Sequence, residues 1–138
     1  MKTLISLVAL FLFLGAGAVF AADLPDKDAK YLEGAGIPLY KGAVYTNGGL
    51  GDAYVGARFA CNAPVTKVQA FYREKFPNWA LISDQYGTWI LYEGEQSEQM
   101  GAYMGKKSIS VREEKQLPGW FNLSSDMTTE ILIVVPPN

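Results

Sequence analysis

The stretch Asn62-Ala63-Pro64-Val65-Thr66-Lys67-Val68-Gln69-Ala70-Phe71-Tyr72-Arg73-Glu74-Lys75-Phe76-Pro77 decides the fold. Val65, Val68, Phe71, Tyr72 and Phe76 recur at helical spacing, and Lys67, Gln69, Arg73, Glu74 and Lys75 occupy the rest of the surface. Asn62 is placed to cap this helix, Ala63-Pro64 suits its first turn and Pro77 ends it. A helix with one apolar stripe must bury that stripe against another element. The segments around it supply strands to bury it against.

Upstream, Asp26 to Gly36 reads as a short polar helix closing at Gly34 or Gly36, followed by the extended Ile37-Pro38-Leu39-Tyr40-Lys41-Gly42. Ala43 to Thr46 is a short strand and Asn47-Gly48-Gly49 a turn signal. Asp52 to Cys61 alternates, with Ala53, Val55, Ala57, Phe59 and Cys61 on one face and Tyr54, Gly56 and Arg58 on the other. The glycine turn predicts that these two strands pair as a hairpin. Downstream, Trp79–Ser83, Thr88–Glu93, Lys107–Glu113 and Thr129–Val135 read as four more strands. The last is apolar on both faces, with Ile131, Ile133 and Val135 against Leu132 and Val134, which predicts a place inside the sheet. The expected fold class is α+β: a twisted antiparallel sheet of five or six strands with the 62–76 helix across one face.

Residues 1–22 carry the parts of a cleavable secretory signal peptide. Lys2 supplies the positive start, Leu4 to Leu14 the apolar run, and Gly15 to Ala22 the small residues, with the cut after Ala21 or Ala22. A retained anchor is the rival reading, but glycine and alanine dominate its second half and no basic stop-transfer residue follows. The sequence therefore predicts one globular domain over residues 23–138, periplasmic or extracellular, without a membrane-spanning segment once cleaved. Lys2 leaves with the leader, so 12 basic against 14 acidic residues becomes 11 against 14, a net charge of −3. No basic run stands out along the chain, which argues against nucleic acid and against a polybasic membrane patch.

The absence of histidine removes Ser-His-Asp and Cys-His catalysis and most zinc, copper and non-haem iron sites. Cys61 is the only cysteine. It cannot form an internal disulfide or serve as a lipidated N-terminal residue, and its place at the end of a strand predicts a buried structural thiol. No cofactor is expected. Met100 and Met104 lack the partners a copper site needs, and the acidic groups Glu93, Glu95, Glu98 and Asp23, Asp26, Asp28 lack the spacing of an EF-hand. Gly48-Gly49-Leu50-Gly51 precedes a strand and has no following lysine, so it is a turn and not a phosphate loop.

The segments Ile37-Pro38-Leu39-Tyr40-Lys41-Gly42-Ala43, Val68-Gln69-Ala70-Phe71-Tyr72 and Pro77-Asn78-Trp79 together resemble a pattern of small bacterial exported or lipid-anchored domains of uncharacterised function, roughly Pro-x-Tyr-Pro-Gly-Ala … Val-x-x-Phe-Tyr … Trp. Lys41 stands where that pattern has proline. The resemblance covers about residues 37–93, rests on structural motifs, and implies a similar fold without an activity or ligand.

Function is sought among the aromatic residues. Trp120 and Phe121 follow the Pro118-Gly119 turn in an expected loop, and Tyr86 and Trp89 flank another turn. These four form the candidate partner surface, because rings with polar edges stack on sugars or anchor proteins. The leading expectation is a non-catalytic binding module of the cell envelope, with an envelope protein or glycan as partner. The alternatives are a small hydrolase with two carboxylates about 5–9.5 Å apart, or a pocket for a sugar or apolar ligand between helix and sheet.

Overall fold

A computed structural model describes residues 24–138. The expected leader, residues 1–22, and its expected cleavage site lie outside the described residues. The elements run α1 (Asp26–Ala35), β1 (Val44–Gly48), β2 (Ala57–Cys61), α2 (Val65–Lys75), β3 (Ala80–Ser83), β4 (Trp89–Tyr92), β5 (Ser108–Glu113), α3 (Leu117–Phe121) and β6 (Thr129–Val134). The six strands form one sheet in the order β1-β2-β6-β5-β4-β3, with every neighbouring pair antiparallel. The α+β reading holds, and β6, apolar on both faces, sits between β2 and β5. No helix among the described residues is long and apolar enough to cross a membrane.

Cross-strand register sorts the side chains into rows. On the helix-covered face, Ala57, Ile133, Ile109, Leu91 and Leu81 oppose one another in turn, as do Phe59, Ile131 and Val111. Val68 and Tyr72 of α2 close over these rows, and Leu24, Leu32 and Ile37 around α1 join the same core. The pieces 37–43 and 68–72 touch directly. The Tyr72 hydroxyl donates to the Pro38 carbonyl (3.0 Å) and accepts from the Tyr40 N–H (3.2 Å), while the Tyr40 and Phe71 rings meet edge to face at 5.2 Å. Trp79 stacks on Phe76 at 4.2 Å.

Three local expectations are corrected. The β1–β2 hairpin forms, but Asn47-Gly48 belongs to β1, and the connection is the whole of residues 49–56. That segment is drawn off the ladder by distant partners: Leu50 is buried with its N–H on Asp28 Oδ1 (2.9 Å), and the Gly51 N–H reaches the Val135 carbonyl (2.9 Å). Tyr54 and Val55, expected in the strand, are exposed, with their N–H groups on Asp52 Oδ1. Gly48 lies at φ 86°, and a β-carbon there would strike the Gly56 carbonyl, so the strand ends need a glycine.

The second correction concerns the start of the main helix. Asn62 does not cap it; α2 begins after Pro64, and Asn62 Nδ2 donates to Asp126 Oδ2 at 3.4 Å. The residue before a proline is biased away from helical geometry, which keeps Ala63 outside the helix. The third lies in the 116–123 loop, where Leu117–Phe121 forms a short helix. It turns on a fully buried Leu117 and closes with Asn122 in the left-handed region (φ 52°).

Candidate functional site

The face of the sheet opposite α2 is built from the other set of alternating residues. One row runs Ala60, Glu130, Arg112; the next runs Arg58, Leu132, Ser110, Ile90, Ile82. Tyr92, further along this face, is covered. Its hydroxyl donates to the Glu95 carbonyl (3.0 Å), and Lys106 Nζ lies over its ring at 5.5 Å. What stays open is a groove of about 600 Å³ over Arg58, Leu132, Ser110, Ile90, Arg112 and Glu130, with Tyr86 of the β3–β4 turn on its rim.

Glu130 organises this floor. The residue is 4% exposed, and its Oε1 accepts from Arg58 Nη1 (2.9 Å) and Arg112 Nε (3.0 Å), with Arg112 Nη2 in ion-pair range at 3.0 Å. Ala60, directly beside it, is small, and the two guanidinium groups close in from the neighbouring strands. Arg112 Nη2 also lies 3.9 Å from Glu114 Oε2. Two arginines against two glutamates leave the centre close to neutral, rich in oriented donors and acceptors, above an apolar floor of Ile90 and Leu132. An ion cluster of this kind is weak evidence for stability, because desolvation offsets much of the Coulomb attraction. It does hold two planar donor groups in fixed positions.

The four aromatic residues singled out from sequence part company here. Tyr86 is 84% exposed on the groove rim and Trp120 60% exposed on α3, whereas Phe121 is half-buried and Trp89 packs in the core at 8% exposure. Of these, the groove is lined by Tyr86 and by Trp89, the latter beneath it; Trp120 and Phe121 are not among its lining residues. Tyr86 is held by its turn. Asp84 Oδ1 accepts the N–H groups of Tyr86 (2.9 Å) and Thr88 (3.0 Å), and these hydrogen bonds, Thr88 foremost, lower the Asp84 carboxyl below its ordinary range.

Arg58, Arg112 and Glu130 escaped the sequence reading because each is an ordinary polar residue in an alternating strand. The signal that could have found them is a charged residue, Glu130, at the head of a strand otherwise apolar on both faces. Cys61 is a buried free thiol with its pKa raised by burial. Met100 and Met104 are exposed. The other buried carboxylate among the described residues, Asp28, is engaged by Leu50, so these buried acids serve as hydrogen-bond acceptors. Comparison with protein-family models, with curated proteins and with solved structures finds no match to this chain.

Proposed function

We propose that the protein is an exported, non-catalytic binding module of the cell envelope, and that the open sheet face holds a neutral glycan. The observation that carries this reading is Glu130, buried between Arg58 and Arg112, with both arginines lining a groove that has an exposed tyrosine on its rim. Neighbouring hydroxyls of a sugar donate to carboxylates and accept from guanidinium N–H groups, and the face of a sugar ring stacks on Tyr86. The near-neutral balance favours an uncharged ligand over an anion. The leader of residues 1–22 supports export to the compartment where such polymers occur. A two-carboxylate hydrolase is less well supported, because Glu130 is already committed to two arginines.

The test is isothermal titration of the protein with neutral and N-acetylated oligosaccharides, with a uronic-acid oligomer as the charged control. Saturable binding of a neutral oligosaccharide is expected, weakened about tenfold by Tyr86→Ala through loss of roughly 1.4 kcal/mol of stacking. Tyr86 is exposed, so the variant should unfold at the same denaturant concentration as the parent. Binding of the uronic-acid oligomer alone, or equal binding by the Tyr86→Ala variant, refutes the reading.

A further inference from the structure

A second groove, of about 920 Å³, lies where α1 meets the ends of β4, β5 and β6. Its charged side chains are Lys27 and Lys30 from α1, Lys106 and Lys107 just before β5, and Glu93 just after β4. Four lysine side chains against the Glu93 carboxylate and the terminal carboxylate at Asn138, which also lines the groove, give this concavity a local charge of +2, in a chain whose formal net charge is −2. Lys27 and Lys30 are three residues apart on a helix and so share a face. They enter no ion pair among the described residues.

The opposite wall is more ordered. Lys107 Nζ is 3.6 Å from Glu93, and Lys106 Nζ rests over the Tyr92 ring. A β-carbon at Gly94 would come within 3.0 Å of Lys106 Nζ, so the glycine leaves the ammonium its space. Tyr31 and Val135 add apolar surface to the same groove.

We infer that this groove is a binding site for a soluble, multiply phosphorylated ligand. Lysine is a compact, strongly hydrated point charge with three donors, suited to phosphoryl oxygens approached from several sides; it lacks the planar fork that selects a single carboxylate. Four lysines and a local charge of +2 call for more than one negative group, and the concavity favours a discrete ligand over a flat surface. Tyr31 and Val135 would face its organic part. This site is separate from the arginine–glutamate groove and does not depend on the glycan reading.

The experiment is titration calorimetry of the full domain with tripolyphosphate at low salt, beside inorganic phosphate and beside vesicles containing an anionic phospholipid. Tripolyphosphate should bind at least about tenfold more tightly than inorganic phosphate, and binding should weaken as salt rises. Replacing Lys27, Lys30, Lys106 and Lys107 by Gln should reduce affinity by about a hundredfold or abolish it, as expected for the loss of four charge-assisted contacts. A second variant with Lys41, Lys67, Lys75 and Lys115 replaced by Gln carries the same change in net charge and should keep wild-type affinity. Glu93→Gln should tighten binding. Equal loss in the two quadruple variants overturns the inference, because it would reduce the effect to net charge. Binding to the vesicles without tripolyphosphate binding overturns it in favour of a membrane surface.

Discussion

Replacing Tyr72 by Phe removes one oxygen atom and tests how the 37–43 segment is fastened to α2. Tyr72 is fully buried, and its hydroxyl makes two hydrogen bonds, one to the Pro38 carbonyl and one from the Tyr40 N–H. The ring stays, so its packing with Phe71 at 4.9 Å is kept and no large cavity opens. Each bond contributes about 0.5–1.5 kcal/mol net, and a stranded buried partner costs about 1–3 kcal/mol. Tyr40 is half-buried and water can reach part of its surroundings, so the lower half of that range applies, about 2 kcal/mol in total. With a urea slope of about 1.5 kcal/mol/M, the unfolding midpoint should fall by roughly 1.3 M with an unchanged slope.

The pH dependence supplies an independent check. Burial raises the Tyr72 phenol above its ordinary value of 10.0. Below that value the phenol is neutral in folded and unfolded chains alike, and its stabilisation is fully present. Above it the unfolded chain loses the proton first, so the unfolded state binds fewer protons and stability falls as pH rises. The Phe variant lacks this loss, so the difference between the two proteins should shrink above pH about 10. Urea titrations followed by circular dichroism at pH 7 and at several alkaline values measure both effects. Coincident midpoints at pH 7, or a gap that widens with pH, refute the reasoning.

Asp28→Ala strands the buried Leu50 N–H and should cost about 1–3 kcal/mol by thermal or urea unfolding, whereas Asp28→Asn keeps an acceptor and should recover most of it. Gln96 caps the outer edge of β3, accepting from the Leu81 N–H (3.1 Å) and donating to its carbonyl (3.0 Å). Gln96→Ala should free this edge and increase concentration-dependent self-association in sedimentation velocity, with monomer at every concentration as the contrary result. Cys61 should react with a thiol reagent only at the rate of unfolding, since burial both shields the sulfur and raises its pKa; fast labelling of native protein would contradict this.

The elements were legible in the sequence to the extent that their signals are local. The stripe Val68–Tyr72 announced α2, and the two-faced apolar run 131–135 announced a central strand. The reading failed where distant partners override local pattern: Asp52–Gly56 alternates like a strand, yet Asp28 and Val135 capture the preceding residues and bend the chain away. The aromatic reading reached the groove rim through Tyr86 and missed its floor. Trp89 was placed correctly in its strand, but its inward direction depends on which face α2 covers.

Sequence by itself determined the α+β class, the central place of β6 and the burial of Cys61, because hydrophobic period and strand alternation are properties of neighbouring residues. The tertiary structure alone decided both grooves. Arg58 and Glu130 are 72 positions apart, and they meet because β2 and β6 pair in a register that no local pattern specifies. Lys27 and Lys30 join Lys106 and Lys107 through the seating of α1 beside the strand ends, turning a chain without a basic run into one with a basic groove. Alternation fixes the face on which a side chain lies, and register fixes its lateral neighbours, so charges dispersed along a sequence become a site only when the sheet is assembled.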